Sequence, residues 1–250
     1  MMDSQTPLKR TGEQQPATQT DEAAVHLAKR LKVTAIADCV DTGASATEEK
    51  RSEHHCCMVG QAAPNFNSVA AVMADGSISA VSLSQFRGRY VLLAFYPADF
   101  TFVCPTEITS LSDRVNEFTA LDCDVMVCST DSEFVHHSWR QQARDKGGVG
   151  AVAVPMLADR TRAVSRSYGV LCEEEGRAFR GLFIIDREQV LRVAQVYDMP
   201  VGRSVDEALR LVSAIKFADE NGQVCPANWH AGDAGIVPDI QQSKAFFSNQ

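Results

Sequence analysis

The uninterrupted apolar run YVLLAFY at 90–96 constrains this chain more than any other stretch. A strand with one wet face alternates in polarity, so an unbroken run of this length reads as a central strand buried on both faces. Such a strand needs a layer of structure above and below it, and the flanking sequence supplies helices. Ile108, Leu111, Val115 and Phe118 recur at helical spacing after the run. DVMVCS (124–129) reads as a second strand, followed by a helix with Val135, Trp139 and Ala143 on one stripe. GLFIID (181–186) and LRVAQV (191–196) are strands close enough to form a hairpin. A last long helix opens with Ser204 and Glu207 as a capping box, turns Leu209, Val212 and Ile215 inward, and stops at Asn221-Gly222.

Strand–helix–strand–helix followed by a hairpin and a helix is a thioredoxin-like α/β arrangement. A chain of 250 residues can hold one such core plus an appendage. The expected division is an N-terminal extension over 1–58, a folded domain over 59–222, and a tail over 223–250. Residues 1–58 are rich in Gln, Thr, Ala and Glu and contain no aromatic residue, the composition of a disordered segment, with a short helix expected at 21–32. A net charge of −8 and a pI near 5.3 argue against a nucleic-acid or anionic-membrane binder. No apolar run approaches the ~20 residues of a membrane span. The first residues carry no apolar signal segment, and their acids break the transit-peptide pattern, so the expected location is the cytoplasm.

The 8 cysteines are too sparse for a disulfide scaffold and contain no C-x-x-C pair. In a reducing compartment they should be thiols, with any disulfide catalytic rather than structural. Most lone cysteines among apolar neighbours are buried packing residues. Cys104 stands apart because FYPADFTFVCPTEI places it after a buried strand and at the start of a helix. Pro105 is tolerated there, since first-turn amides have no intrahelical acceptor. A thiolate in that turn meets unpaired N–H groups and the positive end of the helix dipole. Bringing a thiol from ~8.5 to ~6 takes about 3.4 kcal/mol, and a helix terminus supplies at most ~2. A fixed cation must supply the rest, and full ionisation alone gains only ~14-fold at neutral pH. Large acceleration therefore needs donors aimed at the transition state.

Residues 59–250 resemble a typical 2-Cys peroxiredoxin over nearly their full length. The stretches that carry the resemblance are FYPADFTFVCPTEI, DSEFVHHSW, KGGVG, YGVL, FRGLFIID, DMPVGRSVDEALRLV and GQVCPANW. It implies that Cys104 attacks a peroxide O–O bond and becomes a sulfenic acid. It also implies that Pro97 shields the thiolate, Thr101 hydrogen-bonds the peroxide, Arg180 activates the sulfur, Glu107 orients a guanidinium, and Trp139 packs nearby. Cys225 matches the resolving cysteine, and the family pattern bridges it to Cys104 of a second chain in a head-to-tail dimer. Five dimers commonly form a ring, and thioredoxin or tryparedoxin reduces the disulfide. LDCDV, DSEF and SRSYGVL are most similar to the tryparedoxin peroxidases. The resemblance implies neither cofactor nor metal. It leaves a second class of function open, a redox relay or holdase chaperone on the same fold.

Other readings have less support. His54-His55-Cys56-Cys57 are zinc-ligand types, but adjacent side chains diverge and no second ligand pair follows. Cys123 and Cys128 are an odd number apart, so on one strand they face opposite sides and read as core. Cys172 reads as an incidental loop thiol, and His136 and His137 as surface or packing residues. A Cys–His protease has no identifiable partner for Cys104, and Ser110 stands where a phosphatase would carry its arginine.

Overall fold

A computed structural model of the chain describes residues 57–248. The extension expected over 1–58, its helix at 21–32 and the run His54–Cys56 lie outside the described residues, apart from Cys57 and Met58. Nine strands are present among the described residues. They are β1 (Val69–Val72), β2 (Ile78–Val81), β3 (Tyr90–Phe95), β4 (Cys123–Ser129), β5 (Met156–Ala158), β6 (Leu171–Cys172), β7 (Arg177–Ala178), β8 (Arg180–Ile185) and β9 (Leu191–Tyr197). Six helices accompany them: α1 (Cys104–Asp113), α2 (Val115–Ala120), α3 (Glu133–Gln141), α4 (Ala163–Ser167), α5 (Val205–Asn221) and α6 (Ser243–Phe247).

Seven strands form one sheet in the order β2-β1-β5-β4-β3-β8-β9. β3 lies inside it, parallel to β4 and antiparallel to β8, and every residue of β3 is buried. Its even-numbered residues Tyr90, Leu92 and Ala94 join a core that takes in α1, α2, α3 and α5. Its odd-numbered residues Val91, Leu93 and Phe95 join a second core with Met126, Leu157, Val164 and Tyr168. The period-2 geometry of a strand divides the run in this way, and covering both faces removes the need for alternation. Cys123 falls in the first core and Cys128 in the second, as their odd spacing requires. β8 and β9 form the expected hairpin, paired from Arg180↔Tyr197 to Ile185↔Leu191.

Three local expectations are corrected. The apolar repeat through Ile108 and Phe118 is two helices, because Arg114 leaves helical geometry at φ −108°, ψ 13°. Its guanidinium instead holds Glu117 at 2.7 Å and also bonds Asp206, at the start of α5. The inward stripe of α3 is His136, Trp139 and Arg140 rather than Val135, Trp139 and Ala143. The chain turns extended at Gln142, so Ala143 lies beyond the helix. Ser204 does cap α5, accepting from the Glu207 amide at 3.2 Å, but the Glu207 carboxylate pairs with Arg210 at 2.6 Å instead of reaching back. Gly222 ends α5 in the left-handed conformation at φ 62°.

Candidate active site

β3 ends at Phe95, and the loop of residues 96–103 carries the chain from the end of that strand to the first residue of α1, Cys104. Pro105 follows as a first-turn proline and terminates no hydrogen bond there. The Cys104 side chain is fully buried. Arg180, the first residue of β8, donates from Nη1 to the Cys104 sulfur at 3.3 Å. The register of β8 against β3 brings the arginine there, so a contact across 76 residues is set by sheet pairing.

Arg180 is held by two further bonds. The same Nη1 reaches Glu107 Oε2 at 2.7 Å, and Nε donates to the Met199 carbonyl at 2.7 Å. Glu107 also receives Arg203, from Nε at 2.7 Å and from the backbone amide at 2.9 Å to Oε1, and from Nη2 at 3.0 Å to Oε2. Arg203 Nη1 in turn caps the carbonyls of Phe95 at 2.9 Å and Gly181 at 2.5 Å. The three side chains are all at least nine-tenths buried. One carboxylate thus stands between two guanidinium groups, and one unit of positive charge remains for the sulfur beside Arg180. Gly181 is required in this corner, since a Cβ there would meet Phe183 and Val170 at under 3 Å.

Of the sequence-predicted residues, Cys104, Glu107 and Arg180 meet directly. Pro97 is buried in the loop after β3. Thr101 is half-buried and its hydroxyl donates to the Ala98 carbonyl at 2.8 Å, which leaves its oxygen lone pairs available to accept. Trp139 is buried beneath the loop, its ring 5.9 Å from Phe100 and 6.2 Å from Tyr96, with Nε1 donating to Gly147 at 2.9 Å. Cys225 lies elsewhere, in the segment that follows α5, with its sulfur donating to the Ala214 carbonyl of that helix at 3.4 Å. Cys104 and Cys225 are both free thiols. Arg203 is the site residue that sequence reasoning missed. Its signal was a buried carboxylate needing more than one guanidinium, but only the tertiary fold shows which arginine answers, 96 residues away. Among the described residues, no group of three or more His, Cys, Asp or Glu side chains is arranged to hold a metal ion.

Replacing Arg180 by methionine is expected to slow peroxide attack on the order of a hundredfold, the effect of deleting one preorganised donor. Arg203 continues to neutralise Glu107 in that variant, so the fold should survive. Arg180→Lys keeps the charge but loses the fork and should recover only part of the rate. Single-turnover stopped-flow measurements decide it, and an unchanged rate in Arg180→Met would remove Arg180 from the chemistry.

A buried thiol at a helix start, faced by a fixed guanidinium on a thioredoxin-like sheet, fits a cysteine-based redox protein. The comparisons with known proteins take that class to a family. The model of the AhpC/TSA family matches residues 59–194, and that of the C-terminal domain of 1-Cys peroxiredoxin matches residues 214–247, which include Cys225. Peroxiredoxin-1 of Gallus gallus is 50% identical over 192 residues, covering 77% of this chain and 96% of that protein. A thioredoxin peroxidase of Trypanosoma brucei rhodesiense is 52% identical over 187 residues, 75% of this chain and 94% of its own. The reduced 2-Cys peroxiredoxin of Plasmodium vivax superposes with a TM-score of 0.74 at 38% identity, covering 76% of this chain and 98% of that one. This chain belongs to the AhpC/TSA family of peroxiredoxins, and its activity is that of a thiol-dependent peroxidase.

Proposed function

We propose that Cys104 is the peroxidatic cysteine and that the enzyme reduces hydrogen peroxide and organic hydroperoxides. The observation that carries this reading is the 3.3 Å bond from Arg180 to a fully buried sulfur at a helix start. The Cys104 thiolate attacks one peroxide oxygen; an S–O bond forms as the O–O bond breaks, and the second oxygen leaves as an alcohol or water after taking a proton. Arg180 donates to the developing charge, Thr101 accepts the peroxide hydrogen, Pro97 keeps water from the sulfur, and Glu107 with Arg203 fixes the guanidinium. The Cys104 sulfenic acid then condenses with a Cys225 thiol, losing water and giving a disulfide, the first reversible stage of cysteine oxidation. An external dithiol of the thioredoxin or tryparedoxin type returns both thiols.

The two cysteines belong to different chains in this reading. In the chain the two thiols are unjoined, Cys104 under Arg180 and Cys225 donating to the Ala214 carbonyl of α5, and it is the family pattern that supports a partner's cysteine as the resolving one. α1 must unwind at its first turn to release Cys104. We take residues 59–222 as the catalytic unit, 223–250 as the tail that presents Cys225, and the assembly as a homodimer that builds a ring of five dimers. A cytoplasmic setting fits free cysteines that depend on a dithiol reductant; among the described residues no helix is long and apolar enough to cross a membrane.

Mild peroxide should convert the protein to a species of twice the chain mass on non-reducing gels, and Cys225→Ser should abolish that band while preserving one rapid round of peroxide consumption. Burial raises the Cys225 thiol above the ordinary range, with Arg210 opposing it, so the bridging rate should climb with pH as the thiolate fraction grows. Oxidised protein that remains monomeric, with both cysteines joined in one chain, would refute the intersubunit assignment. Side-by-side assays with thioredoxin and tryparedoxin systems identify the reductant. A relay role would show as client oxidation that requires Cys104, and a holdase role as aggregation suppression surviving Cys104→Ser.

A further inference from the structure

The loop of residues 96–103 that presents Cys104 has few regular backbone bonds of its own, and Phe100 within it sits in the left-handed region at φ 54°. A non-glycine residue there is held by its surroundings. The holding comes from Asp99, whose side chain points into the protein and is 1% exposed. Its Oδ1 accepts from the Tyr96 hydroxyl at 2.7 Å and its Oδ2 faces His136 Nδ1 at 2.8 Å. The Asp99 amide donates to Asp131 Oδ2 at 2.8 Å, which ties the same residue to the loop after β4. His136 is fully buried in α3, and its second nitrogen, Nε2, faces the Leu157 carbonyl of β5 at 3.1 Å. For both contacts of the ring to be hydrogen bonds, one hydrogen lies on Nε2 and another between Nδ1 and Oδ2. Burial and the adjacent Asp99 carboxylate push the Tyr96 phenol well up, so it stays a donor.

We propose that Asp99 and His136 are positioning residues of the peroxidase reaction: their buried pair clamps the peroxidatic loop onto α3 and β5 in the geometry that receives peroxide. The proposal rests on Cys104 as the nucleophile. Neither side chain touches the sulfur or the Arg180–Glu107–Arg203 group, and they act through the loop. Two states compete for this loop, the packed one that takes peroxide and the unwound one that meets the resolving thiol. A clamp on Asp99 stabilises only the first. Loosening it should therefore slow peroxide attack and leave disulfide formation as fast or faster, a division that general loss of packing does not produce. Trp139 packs against both Tyr96 and Phe100, so its fluorescence reports on the clamp and the two steps.

The test uses two amides that each copy one ring nitrogen. His136→Asn retains a donor near the Nδ1 position, towards Asp99; His136→Gln retains one near Nε2, towards Leu157. Tyr96→Phe removes the hydroxyl, with its bond to Asp99 and its 3.3 Å contact to His136 Nδ1, while keeping the ring, and provides a variant that folds if the others do not. Peroxide attack and resolution are measured as separate phases by stopped-flow Trp fluorescence in full-length protein, with Cys104→Ser alongside. In His136→Gln the attack rate constant is expected to fall by at least about tenfold, since small misplacements of reacting groups cost up to ~10²-fold. The resolution rate should be unchanged or raised, and His136→Asn and Tyr96→Phe should fall between Gln and the parent. Equal attack rates in His136→Gln, Tyr96→Phe and the parent would overturn the clamp, as would attack and resolution falling together. Persisting activity in Cys104→Ser would instead overturn the assignment of the nucleophile.

Discussion

Cys104→Ser is expected to reduce peroxide consumption to the level of the assay without enzyme, with the fold intact. A serine oxygen can accept the Arg180 bond in the same space, so packing and the buried charges are kept. What disappears is the polarizable nucleophile, and a hydroxyl forms no sulfenic acid. The informative controls are Cys123→Ser and Cys128→Ser, whose thiols lie on opposite faces of β4. Burial pushes both thiols up, far from the thiolate that attacks peroxide. Those two variants should keep the rate constant and lose up to roughly 1–3 kcal/mol of stability, the cost of moving a more polar hydroxyl into the core. Turnover in Cys104→Ser above background, measured as peroxide loss with reductant present, would overturn the mechanism.

Glu107→Gln should be the most destabilising single change at the site. The carboxylate accepts from Arg180 and through three bonds from Arg203, and all three side chains are excluded from water. Removing it leaves two buried guanidinium groups facing each other. Breaking a buried pair in this way costs about 3–5 kcal/mol. For a folded unit of this size that corresponds to a fall in Tm on the order of 10 °C. Peroxide attack should slow as well, because Arg180 loses the partner that aims Nη1. The contrast is Asp206→Asn, which breaks a pair with Arg114 in which Asp206 is 84% exposed. Exposed pairs contribute about 0–1 kcal/mol, so Tm should barely move. Thermal unfolding of the two variants gives the comparison, and a Glu107→Gln midpoint as close to the parent as that of Asp206→Asn would show that the buried triad does not hold the site.

The buried strand, the helix-opening cysteine and the hairpin were legible because each depends on neighbours in sequence. An unbroken apolar run has one stable placement, and a proline after the cysteine fits only a first turn. The same local reasoning failed where side-chain chemistry overrides periodicity. The apolar repeat is interrupted at Arg114, whose backbone leaves helical geometry while its guanidinium meets Glu117 and Asp206, a break that apolar spacing does not show. His136 reads as a surface or packing residue, and the structure takes the second: it is buried, with Asp99 and the Leu157 carbonyl at its two ring nitrogens, partners that the local sequence does not name. Glu207 was expected to bond back to Ser204, and a nearby arginine takes it instead.

The sequence by itself determined the class of fold and the placing of Cys104 at a helix start, through a run of apolar residues and a motif whose members are close along the chain. Arg180 and Glu107 were implied only by the resemblance to the peroxiredoxins, because Arg180 stands 76 residues from Cys104. The tertiary structure alone decided which second arginine completes the charge around Glu107, and which buried pair holds the loop that carries Cys104. Those contacts join residues 96 and 37 positions apart. Removing water from these charges and donors is costly, and it is offset only because attraction between well-placed partners strengthens in the low-dielectric interior, which exists once the sheet and its helices have closed over them.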